Sequence, residues 1–93
     1  MSDREALYSK LKSQLEDTSS FPTKYLYKFS VPTDGKQVDE VQSLFNSGGA
    51  VISTKNSRTG KYVSVSIHLT VKSSDEVISY YKKAELIKGI ISL

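Results

Sequence analysis

The sequence predicts an α+β sandwich, a four-stranded antiparallel sheet with two helices packed on one of its faces. Three observations predict it. Residues 60–71, GKYVSVSIHLTV, alternate without a break: Val63, Val65, Ile67, Leu69 and Val71 fall on one side, and Tyr62, Ser64, Ser66, His68 and Thr70 on the other. A strand sends successive side chains to opposite faces, so this is a central strand buried on one face only. Residues 23–31 alternate in the same way, with Tyr25, Tyr27, Phe29 and Val31 opposed to Lys24, Leu26, Lys28 and Ser30. Each of these runs is followed by a turn and a stretch of helical periodicity, the order that builds right-handed strand–helix–strand crossovers.

From the start of the chain, residues 3–17 space Leu7, Leu11 and Leu15 four apart, a thin apolar stripe on a helix with Asp3 and Glu5 at its favourable acidic end. So narrow a stripe makes a helix that is marginal alone and must dock, on this domain or on a second copy. Thr18, Ser19 and Ser20 read as a linker. Pro22 and Pro32 bracket the first strand, each lacking the N–H that a strand interior needs. Asp34 stands three before Gln37, a capping box for a helix to about Asn46 whose Val38, Val41, Leu44 and Phe45 face the sheet. Ser47-Gly48-Gly49 ends that helix as a C-cap; no Lys-Ser/Thr follows, and a phosphate loop begins a helix instead of ending one.

Residues 50–56 are β-branched and form the next strand, joined to the central one by the tight connection Ser57-Arg58-Thr59-Gly60. Ser73 and Glu76 cap a second helix through about Ala84, with Val77, Ile78, Tyr81 and Ala84 as its inner face. Residues 85–93, ELIKGIISL, close the sheet as the last strand, Ile87, Ile91 and Leu93 on one face and Leu86 and Ile90 on the other.

This strand–helix–strand–strand–helix–strand order is the ferredoxin-like plan, βαββαβ, preceded by an extra N-terminal helix. The division is residues 1–20, helix and linker, and residues 21–93, the ferredoxin-like domain. In that plan the last strand neighbours the first, so Leu26, Leu86 and Ile90 should make an apolar corner on an otherwise polar outer face. Burying one leucine stabilises by roughly 1.5–3 kcal/mol. The N-terminal leucine stripe is therefore expected to cover the corner, a homodimer contact being the other candidate.

Phe21-Pro22-Thr23, Tyr27-Lys28, the run from Ser57 to Ser66 with its GKYVSVS core, and the ending from Ile87 to Leu93 occur in order and at compatible spacing. Together they resemble the YbeD-like family of small bacterial proteins over residues 20–93. The resemblance implies a ferredoxin-like fold similar to the ACT domains that sense amino acids, and a regulatory or interaction role. It supplies no activity and no catalytic residues. Residues 1–20 are longer than the family's usual start, so the first helix rests on leucine spacing alone.

The 93 residues hold no cysteine and one histidine, which excludes disulfides and thiolate metal sites. No run of about 18 apolar residues occurs, and the opening MSDREALYSK is charged, so neither a membrane span nor a signal peptide is expected. The expected setting is the cytoplasm. Thirteen Lys and Arg against ten Asp and Glu give a net charge of +3, and the charges are scattered along the chain. A dedicated nucleic-acid binder concentrates them, so nucleic acid is not an expected partner.

His68 falls on the outer face between Ser66 and Thr70, with no carboxylate in its strand to orient it. Catalytic residues, metal and cofactor are therefore all read as none, and the chain as non-enzymatic. Its expected work is that of a regulatory or adaptor domain for a small metabolite or a partner protein. By likeness to ACT domains, Thr33, Asp34 and Gly35 form the candidate ligand loop. Lys28, Tyr62, Ser64, Ser66 and His68 are the candidates for contact through the sheet face.

The alternative is an RNA-binding module using the same face, since Gly60 to Val65 is similar to the third-strand motif of RNA-recognition domains. Serine stands at the second stacking position, however, and the first strand offers Leu26 and Lys28. Each missing base stack forfeits about 1–3 kcal/mol. An acylphosphatase-like enzyme would need an arginine in the first loop, where Pro32 to Lys36 offers only Lys36.

Overall fold

A computed structural model of the chain describes residues 3–46 and 49–93. In chain order the elements are α1 (Asp3–Thr18), β1 (Thr23–Pro32), α2 (Gln37–Leu44), β2 (Val51–Asn56), β3 (Tyr62–Val71), α3 (Ser74–Ala84) and β4 (Ile91–Ser92). The sheet order is β2-β3-β1-β4 with every pairing antiparallel, the ferredoxin-like arrangement with one added helix. β1 and β3 are the two runs of strict alternation and occupy the centre, paired from Thr23–Val71 through Pro32–Tyr62. No helix of the described residues is long and apolar enough to cross a membrane.

Alternation decides which face is buried. Tyr27, Phe29 and Val31 of β1 and Val63, Val65, Ile67, Leu69 and Val71 of β3 all lie in the core. Val41 and Phe45 descend on them from α2 and its end, Val77 and Ala84 from α3. The centre of this layer is aromatic, with the Tyr27 ring 5.0 Å from Phe45 and 4.9 Å from Tyr81. Tyr27 is fully buried, and its hydroxyl donates to the Val77 carbonyl at 3.0 Å, which satisfies the one polar atom that burial would otherwise strand. Desolvation raises the pKa of both Tyr27 and Tyr81.

The turn chemistry of the β2–β3 hairpin and of α3 is as read. Ser57 N–H donates to Tyr62 O at 2.8 Å and Gly60 N–H to Ser57 O at 3.0 Å, with Gly60 at a φ of +75° that a side chain would resist. Ser73 accepts from the Glu76 N–H at 3.1 Å as the N-cap of α3. The start of α2 differs: Lys36 is the N-cap, and Asp34 instead accepts from the Gln37 side-chain amide at 3.2 Å. This helix stops at Leu44, with Phe45 as its C-cap. The Ser47-Gly48-Gly49 cap falls largely outside the described residues.

Two expectations are overturned. The first is that the leucine stripe of α1 covers the outer face of the sheet. α1 instead lies beside α3 in the helical layer, with Leu15 in the core and Leu11 packed against it. Polar pairs fix it there. Arg4 meets Glu85 at 3.0 Å, Lys12 meets Asp75 at 3.0 Å, and Ser74 donates to Glu16 at 3.2 Å. The Tyr8 hydroxyl donates to Glu85, and partial burial together with that carboxylate pushes its pKa up to about 12. The stripe is too thin to decide its own docking surface; complementary charges on α3 decide it. Leu7, at the free end of the stripe, stays 66 % exposed.

The second concerns the last strand. Only Ile91–Ser92 is strand, because the chain turns through residues 83–90: Leu86 N–H donates to Lys83 O, Ile87 to Ala84 O and Ile90 to Ile87 O. Gly89, at φ +77°, completes the turn in a space where a Cβ would stand 2.7 Å from Pro32. A one-residue change of phase reverses every side chain. Ile91 therefore pairs with Ser30 on the outer face and Ser92 with Phe29 on the inner, while Ile87 enters the core and Leu86 is left 86 % exposed.

Candidate functional site on the open face of the sheet

With α1 elsewhere, the outer face has no helix over it. The pairing register lays its residues out in rows. Leu26, His68 and Val51 make one row, Lys28, Ser66 and Ser53 the next, and Ser30, Ser64 and Lys55 the third, with Ile91 beside Ser30 and Tyr62 opposite Pro32. All five sheet-face candidates, Lys28, Tyr62, Ser64, Ser66 and His68, are thus on one surface; Ser66 is half-buried and the other four are exposed. The apolar corner exists but is built from other residues than Leu86 and Ile90. Leu26, Val51, Tyr62, Ile91 and Leu93 are its exposed large side chains.

The first row lines a cleft of about 440 Å³. Leu26 and Val51 supply its apolar walls, His68 stands between them, and Lys24 and Thr70 border one end. The cleft therefore has an apolar floor with a hydrogen-bonding imidazole at its middle and a cation at its rim. No carboxylate lines it, and among the described residues no group of three His, Asp or Glu could hold a metal ion.

Charge is the feature that reading along the chain missed. None of the ten acidic residues falls in a strand. Lys24, Lys28, Lys55, Arg58, Lys61 and Lys72 all belong to the three long strands, the β2–β3 turn or the residue after β3, and all six are exposed. Scattered in sequence, the charges separate in space into a cationic sheet side and a helical side that holds the carboxylates. The signal was present in the alternating runs, which contain lysine and no aspartate or glutamate. Val51 was also missed, because a strand read only as short and β-branched was not assigned faces.

The loop candidates Thr33, Asp34 and Gly35 lie apart from this face, at the other end of β1. Their polar groups are mostly occupied. Thr33 donates through Oγ1 to Gly60 O at 2.8 Å and through N–H to Lys61 O at 3.0 Å, and Asp34 holds the Gln37 amide. The buried Gln37 Oε1 fills the space a Cβ on Gly35 would take, and it is the one buried side-chain atom without a hydrogen-bond partner among the described residues.

Residues 16–91 match the family described as Protein of unknown function (DUF493). The chain belongs to this family. The match covers every strand and bears out the YbeD-like resemblance drawn from Phe21-Pro22-Thr23, the GKYVSVS run and the C-terminal segment. Most of α1 precedes the matched region. No curated protein and no solved structure matches the chain.

Proposed function

We propose that the protein is a non-enzymatic, ACT-like adaptor of the bacterial cytoplasm that holds an acidic protein surface against the open face of its sheet. The observation that carries this reading is the segregated face: six exposed cations, no carboxylate in any strand, and an apolar corner of Leu26, Val51, Ile91 and Leu93 beside them. Apolar contact supplies the bulk of association energy, and the lysines select a partner of opposite charge and speed its approach. The chemistry for turnover is thin, since the single histidine has leucine and valine as its row neighbours.

RNA is the second reading, because a carboxylate-free cationic face also suits phosphates. Against it, Tyr62 is the lone outward aromatic of β1 and β3, while Tyr25, Tyr27 and Phe29 are turned inward. Amide NMR titrations with polyglutamate, a uridine oligonucleotide and pooled amino acids separate the occupants. Shifts at Lys28, Ser64, Ser66 and His68 with polyglutamate, lost at high salt, support the adaptor. Binding of the oligonucleotide alone replaces it with the RNA reading. Shifts confined to Thr33, Asp34 and Gly35 with an amino-acid pool replace it with a small-molecule sensor.

A further inference from the structure

β4 is two residues long and β1 beside it is ten. Their pairing joins Ser30 to Ile91 and Phe29 to Ser92, and the Leu93 N–H donates to Lys28 O at 2.8 Å. There it ends. In an antiparallel strand the N–H and C=O of one residue point to the same neighbour, and the direction alternates along the chain. Lys28 turns its groups toward β4, so Leu26 and Lys24 turn theirs to the same side. Among the described residues no strand lies there. The segment Thr23–Tyr27 is therefore paired with β3 along one side and open along the other.

The vacated slot has a floor. A groove of about 360 Å³ is lined by Leu7, Tyr8 and Leu11 of α1, by Tyr81 of α3 and by Ser92, the last residue of β4. It begins where β4 stops. It also runs beneath β1, for the Tyr81 hydroxyl lies 2.8 Å from that of Tyr25. The exposed Leu7, which α1 does not bury against its own domain, is part of this groove. Above the slot, on the outer face, Lys24 and Lys28 bracket Leu26.

We infer that this half-edge is a strand-addition site for an extended acidic–apolar segment of a partner protein. The inference rests on the adaptor reading and gives its partner a conformation. The segment lies opposite Thr23–Tyr27 and hydrogen-bonds the free N–H and C=O groups of Lys24 and Leu26. Its residues alternate, so one set puts carboxylates against Lys24 and Lys28 while the other puts apolar side chains into the groove over Leu7 and Leu11. The occupant is not a second copy. Edge-to-edge pairing of β1 with its twin would crowd the lysines of both chains together, the arrangement by which natural edges resist self-association. The same lysines make the edge selective for an acidic strand.

The test uses the whole chain, amide hydrogen exchange by NMR, and three end-capped heptapeptides: alternating Glu and Val, alternating Lys and Val, and the acidic one with a central Pro. The acidic peptide should slow exchange at the Lys24 and Leu26 amides about tenfold or more and shift the methyl signals of Leu7 and Leu11. The lysine and proline peptides should do neither. The double variant K24E/K28E should reverse the preference in favour of the lysine peptide, which a merely structural role for these residues would not produce. Shifts limited to Ser53, Ser66 and His68, with no protection at 24 and 26, would overturn strand addition and leave the adaptor reading standing. No binding of any peptide or of polyglutamate would overturn both. Protection of both amides in the free chain, rising with protein concentration, would assign the edge to a second copy and overturn the inference.

Discussion

Tyr27 and Lys28 are neighbours in β1, and the sheet separates them into opposite environments. On the inner face Tyr27 touches an aromatic cluster from three elements and its hydroxyl is spent on a helix carbonyl. On the outer face Lys28 stands in a row with Ser66 and Ser53, with Leu93 beside it. The inner residues are held by many partners at once, so their identities are dictated by packing. The outer ones have few partners inside the chain, and stability does not explain a leucine at 26 or an isoleucine at 91. A face whose residues do little for the fold is free to be shaped by what it contacts.

Substitutions should separate the two faces sharply, and the largest effect belongs to the inner one. Tyr27→Ala removes a fully buried ring and should cost about 3–5 kcal/mol, read as a lower urea midpoint or as outright unfolding. A loss near that of a surface residue would mean that the inner layer is not the core. Alkaline pH attacks the same layer. Tyr8, Tyr27 and Tyr81 all have pKa values raised in the folded state, chiefly by desolvation. The native chain then keeps protons that the unfolded chain gives up, so stability is fully present below about pH 10, the ordinary tyrosine value. It falls as pH rises through the window up to about 12 for Tyr8 and beyond it for the other two. Urea midpoints measured across that window should drop steadily, and a flat profile would contradict the burial of these hydroxyls.

Gly89→Ala probes the turn that sets the phase of β4. Alanine there meets both a positive φ and the Pro32 ring, and should destabilise by more than about 1 kcal/mol. The matching NMR readout is loss of the Leu93–Lys28 hydrogen bond; a stable variant with β4 intact would show that the turn is not what limits the strand. The smallest effect is expected on the outer face. Leu26→Ser should change stability by about 0.5 kcal/mol or less while abolishing polyglutamate shifts around His68. If it destabilises as much as an inner-face change, the outer face is part of the fold and the contrast between the faces fails.

Much of the fold was legible because its signals are local. Alternation in residues 60–71 and 23–31 identifies two central strands and their buried faces, and a serine three before a glutamate fixes the start of α3. Of the site, His68, Ser64, Ser66, Tyr62 and Lys28 could be placed on one surface from parity alone. Its cationic character could not be read so directly, since it depends on which strands lie side by side and on where the carboxylates go.

Sequence by itself determined the order of elements, the two-faced character of β1 and β3, and membership of a family through segments the chain preserves in order. Periods of two and of about 3.6 residues carry that information within a single element. Tertiary structure alone decided where α1 docks and which way β4 faces. A three-leucine stripe fits more than one apolar surface, and charges on α3, far away in sequence, break the tie. In β4, a single glycine turn shifts the phase by one residue, which is enough to turn Ile91 and Leu93 outward and leave the edge of β1 open.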